Sequence, residues 1–141
     1  MKVFELHFNP KKDDRIFDSF IYEPESQEGQ LGNLYMAGEL TKILPQSSNF
    51  LNGLSSSIID GYYQKTSFQE ALKGANGFLE KETKKGDVSW LGNLNFATLN
   101  LKDSILNFTK VGNIKILLIS EGEILDIGQN LELQDQDPYP L

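Results

Sequence analysis

The chain has 141 residues, 39% of them hydrophobic and 23% charged, the size and balance of one globular domain with a core of its own. It contains no Cys, which excludes disulfide frameworks, thiolate metal sites and cysteine nucleophiles and fits a reducing cytoplasm. The net charge of -7, with no basic run longer than Lys11-Lys12 or Lys84-Lys85, excludes an ordinary nucleic-acid surface, which needs clustered cations to displace counterions.

In chain order, Val3 to Phe8 alternates Phe4, Leu6 and Phe8 against Val3, Glu5 and His7, the period of a half-buried strand. The same N-terminal stretch lacks the apolar core of a signal peptide, and nothing further along is apolar for the length of a membrane span. A polar turn over Asn9 to Asp14 leads to a strand over Ile16 to Tyr22 that stops at Pro24. After a solvated loop, Leu34 to Leu40 reads as a third strand.

Two helices follow. Leu51, Leu54, Ile58 and Tyr62 recur at helical spacing, with Ser48 placed as N-cap after Pro45. The second opens on Ser67-Phe68-Gln69-Glu70, the pattern of a capping box, and sets Phe68, Leu72, Ala75 and Leu79 on one face. Lys84 and Lys85 complement the dipole of its last turn and Gly86 stops it. Gly74 and Gly77 lie inside this helix at a cost of about 1 kcal/mol each, which close packing against a sheet would explain.

From Leu94 the pattern changes to strands and short turns. Leu94–Leu101, Ile105–Val111, Ile114–Ser120 and Glu123–Ile127 are separated by Lys102-Asp103, Gly112-Asn113 and Glu121-Gly122. The near-continuous apolar run from Ile114 to Ile119 predicts a central strand covered on both faces. The fold class expected is α+β: an antiparallel β-meander with two helices packed on one face. Residues 1–133 form a single domain in this reading, and 134–141 a polar C-terminal tail or truncation point.

The sequence holds no complete catalytic constellation. His7 has no carboxylate or Ser at a recognisable spacing, and Ser55, Ser56 and Ser57 lie outside any nucleophile elbow. No phosphate-binding loop is present, and Gly74 and Gly77 sit mid-helix with no preceding strand and turn. Two carboxylates stand out by position, Asp18 within the second expected strand and Glu39 at the end of the third. Acids so placed suit a hard divalent cation such as Mg²⁺ or Mn²⁺, and paired ions can activate a bridging water against phosphorus.

The stretch Lys110-Val111-Gly112-Asn113-Ile114-Lys115-Ile116, followed by Glu121-Gly122-Glu123, resembles the strand, Val-Gly-Asp-Ser-Arg turn and Gly-Glu turn of the metal-dependent serine/threonine protein phosphatases of the 2C (PPM) type. Phe17-Asp18-Ser19-Phe20 is similar to that family's Glu-Asp-Ala-Phe strand, and Leu34 to Leu40 to the strand ending in its metal-binding Asp-Gly. Ala71 to Asn76 resembles the helix before its Gly-Thr-Thr strand, and the pieces are colinear. The resemblance implies part of an α-β-β-α sandwich, with Asp18 and Glu39 as metal ligands.

The departures concern the same motifs. Glu39 stands for the Asp, Leu40 for the Gly, Asn113 for the acid of the turn, and Leu94 with Asn95 for Thr-Thr. Arg15 lies near the family's phosphate-binding Arg at a different spacing, and the family's later metal-binding strands have no counterpart in these 141 residues. The resemblance thus implies a non-catalytic, pseudophosphatase-like domain with a regulatory or protein-binding role and no bound cofactor, or Mg or Mn where the metal site survives. The alternatives are a fragment of an active Mg/Mn-dependent phosphatase and an interaction domain whose likeness is topological. An uncovered sheet face in half a sandwich invites a protein partner or a homo-oligomer. Nucleic acid and membrane are not expected partners.

Overall fold

Residues 2–4, 6, 14–25, 31–42, 49–64, 67–129 and 139–140 are described by the structure, a computed structural model. In chain order it contains β1 (Arg15–Tyr22), β2 (Asn33–Thr41), α1 (Phe50–Gln64), α2 (Phe68–Lys84), β3 (Leu94–Lys102), β4 (Ile105–Val111), β5 (Leu117–Ser120), β6 (Glu123–Asp126) and β7 (Tyr139–Pro140). The fold is therefore α+β, and every strand pairing among the described residues is antiparallel. One sheet runs in the order β1-β2-β3-β4-β7, and β5-β6 forms a separate ribbon.

The alternation of β2 divides the main sheet into two faces. Leu34, Met36 and Leu40 are buried, and the register places Tyr22, Phe20 and Ile16 of β1 directly opposite them. On β3, Leu94, Phe96, Thr98 and Asn100 point the same way. Both helices cover this face: Leu51, Leu54, Ile58 and Tyr62 of α1 join the strand residues in one core, with Ala71 of α2 buried beside them. The helical spacing read from the sequence is the face that α1 buries. Phe50 closes the end of this core, edge-on to Phe78 at 5.4 Å and stacked with Trp90 at 6.4 Å.

Tyr62 and Asn100 carry polar groups into this layer. The Tyr62 hydroxyl lies 2.5 Å from the Leu31 carbonyl and 2.8 Å from that of Gly32, and accepts the Asn100 side-chain amide at 2.6 Å. Burial pushes the Tyr62 phenol up to about 12, although the Asn100 hydrogen bond acts in the other direction.

α2 begins where its cap predicts. Ser67 is the N-cap and its hydroxyl accepts the Glu70 amide at 3.2 Å, while the Glu70 carboxylate pairs with Lys73. At the other end Lys84 and Lys85 pair with Glu80 and Glu82, and Gly86 turns the chain at φ 90. The close approach of Gly74 is to a helix and not to the sheet. A Cβ there would meet the Ser57 carbonyl oxygen of α1 at 2.4 Å, whereas one at Gly77 would meet nothing within 4 Å.

Two strand expectations are corrected. Val3, Phe4 and Leu6 are exposed and outside regular structure, and the rest of the expected first strand lies outside the described residues, as does Ser48. The run from Ile114 to Ser120 is not a central strand either. Ile114 and Ile116 leave the ladder and pack with Ala97 and Ile127 under the second face of the sheet, and only Leu117–Ser120 pairs, with β6. Leu118 joins that cluster while Leu117 and Ile119 face outward. No helix among the described residues is long and apolar enough to cross a membrane.

Candidate functional site

Asp18 and Glu39 occupy neighbouring strands but opposite faces of the sheet. In the β1–β2 ladder Asp18 lies opposite Gly38, and Glu39 lies opposite Phe17. Directly paired residues of an antiparallel ladder share a face, and successive residues alternate. Asp18 thus takes the helix-covered face, with Ile16 and Phe20, and Glu39 takes the other. A sheet thickness separates the two carboxylates, so they do not converge on one ion or ion pair. The Asp18 carboxylate instead accepts the Ser19 backbone amide at 2.9 Å, on the outermost strand of the sheet.

Glu39 is the centre of a polar rail across three strands. Its Oε1 accepts from Arg15 Nη1 at 2.9 Å, and its Oε2 accepts from Asn95 Nδ2 at 2.7 Å. The ladder explains both contacts, because Glu39 is paired with Asn95 on β3 and lies one diagonal step from Arg15 on β1. The Glu39 side chain is 18% exposed and that of Arg15 35%, so the pair is partly withdrawn from water and more than a surface ion pair. The rail continues through Asn95, whose Oδ1 accepts the Asn113 backbone amide at 2.7 Å. That contact needs Gly112, since a Cβ at this φ of +73 would lie 2.2 Å from Asn95 Oδ1 and 2.6 Å from the Leu94 carbonyl oxygen.

Sequence reasoning missed the rail as a unit. Arg15, Glu39, Asn95 and Asn113 were each visible, but β2 and β3 are joined through two helices, so no short turn fixes their register in advance. Arg15 engages a carboxylate of its own chain. The chemistry of the rail is that of a hydrogen-bonded clamp: each oxygen of Glu39 already has a donor, and Asn95 is used at both ends of its amide. On the same face Phe17 and Ile21 stand exposed beside it.

Among the described residues no group of three or more His, Asp or Glu side chains is arranged to hold a metal ion. Comparison of the chain with models of known families, with characterised proteins and with solved structures finds no match.

Proposed function

We propose that this chain is a non-catalytic domain on a scaffold like that of the 2C-type phosphatases, with a regulatory or protein-binding role. One observation carries the reading. Two of the positions at which the sequence departs from the phosphatase pattern, Glu39 and Asn95, are bonded to each other, with Glu39 also held by Arg15 and Asn95 also accepting the Asn113 backbone amide. A hard cation would have to displace the Arg15 guanidinium and the Asn95 amide to reach Glu39, and Asp18 on the far face would not assist it. The succession of two strands, two helices and further hairpin strands supports the likeness of scaffold. The exposed Phe17 and Ile21 on the same face as the rail support contact with another protein over chemistry. A cytoplasmic setting rests on the absence of Cys.

The test is hydrolysis of p-nitrophenyl phosphate by the purified chain with and without Mn²⁺. The proposal expects no metal-dependent turnover. Turnover that requires Mn²⁺ and vanishes in Asp18→Ala would overturn it and favour an active phosphatase fragment.

A further inference from the structure

The sheet edges among the described residues are not alike. β1 carries Arg15 and Asp18, β6 carries Glu123 and Asp126, β4 beyond its short pairing with β7 carries Lys110, and β7 ends on Pro140. Charges and proline on an edge discourage pairing with another chain. β5, with Leu117-Leu118-Ile119-Ser120, has neither.

The backbone of β5 is also turned the right way for a partner. The Ile116 carbonyl accepts the Ile127 amide at 3.0 Å, and Leu118 and Ser120 continue the alternation opposite Leu125 and Glu123. Leu118 and Ser120 thus spend their hydrogen-bonding groups on β6, the Ile116 carbonyl bonds the residue that follows that strand, and the groups of Leu117 and Ile119 face the open edge. Side chains repeat the pattern, with Leu117 51%, Ile119 69% and Ile124 67% exposed on the outer face of the ribbon. A two-stranded ribbon with apolar residues on both faces is a marginal structure alone.

We propose that β5 is a homodimerisation edge, along which two copies of this chain pair antiparallel about a two-fold axis at Leu118 to make a four-stranded sheet. Charge selects this occupant and this register. With the axis at Leu118, Leu117 meets Ile119 of the second copy, and Lys115 meets Glu121 at both ends of the contact; Lys115 and Glu121 are exposed and flank the strand. Moving the axis to Leu117 or Ile119 sets Lys115 against Ile119 or Leu117 against Glu121 instead. Self-pairing of β6 would crowd the acids at its two ends. The proposal uses nothing from the phosphatase-like reading and stands or falls apart from it.

Sedimentation equilibrium of the full chain at physiological ionic strength, from about 5 to 500 µM, tests it. The expected result is a reversible monomer–dimer equilibrium. Lys115→Glu weakens it about tenfold, since both rim pairs turn repulsive, and Lys115→Glu combined with Glu121→Lys restores it. Ile119→Lys, at an exposed position, abolishes the dimer with an unchanged circular dichroism spectrum. A monomer across the whole range, or a dimer indifferent to Ile119→Lys and to charge reversal, overturns the proposal.

Discussion

Asn95 holds Glu39 from across the β2–β3 ladder: its side-chain Nδ2 donates to Oε2 at 2.7 Å while its side-chain Oδ1 accepts the Asn113 backbone amide at the same distance. Replacing it with Ala removes both bonds and frees the turn after β4. The expected loss is about 1–2 kcal/mol in urea denaturation, the scale of two partly exposed hydrogen bonds, one of them to a charge. Asn95→Asp would set a second carboxylate against Glu39. It should destabilise more than Ala at neutral pH, because two adjacent carboxylates repel.

The two glycines inside α2 should respond in opposite senses. Gly77→Ala adds helix propensity into open space and should stabilise by up to about 1 kcal/mol. Gly74→Ala drives a methyl group against the Ser57 carbonyl oxygen and should destabilise, separating the helices by a few tenths of an ångström or more. Thermal melts of the two single variants check the contrast.

Tyr62 gives the fold an alkaline limit. Its phenol ionises at about 12 in the folded chain against 10.0 for the free group, so the unfolded chain releases this proton first. Stability from this group is therefore complete below pH 10 and declines as pH rises from there towards about 12. Tyr62→Phe should remove that part of the decline in pH-dependent urea titrations. At neutral pH it should cost about 1 kcal/mol, because the Asn100 amide and the Leu31 carbonyl lose the hydroxyl but keep their bond to each other.

Ser67→Ala tests the start of α2 in isolation. The hydroxyl satisfies the Glu70 amide and touches no part of the polar rail, so a loss of about 1 kcal/mol is expected. Amide exchange should quicken in the first turn of α2 and stay unchanged across β2 and β3.

What could be read from the sequence was what local chemistry decides. The bounds of α2 follow from Ser67 and Gly86, the buried face of α1 from its helical spacing, and β1 to β4 from alternation and turns. The Ile114–Ile119 run misled because hydrophobicity alone does not say what covers a strand. Its parity held the clue: Lys115 shares the odd positions with Leu117 and Ile119, which face outward, while Ile114, Ile116 and Leu118 turn inward. The candidate site was less legible. Asp18 and Glu39 were identifiable as strand acids, but the face each takes depends on a one-residue register, and a single step reverses it. Asn95 stood out only as a departure from Thr-Thr, since its bond to Glu39 exists only once β3 lies beside β2.

Calorimetric titration of the chain with Mn²⁺ asks most directly whether Asp18 and Glu39, on opposite faces of the sheet, act together on a metal ion. The account predicts no saturable heat up to about 1 mM Mn²⁺, with Asp18→Asn and Glu39→Gln indistinguishable from the parent. Saturable, stoichiometric Mn²⁺ binding that each of those substitutions abolishes would contradict it.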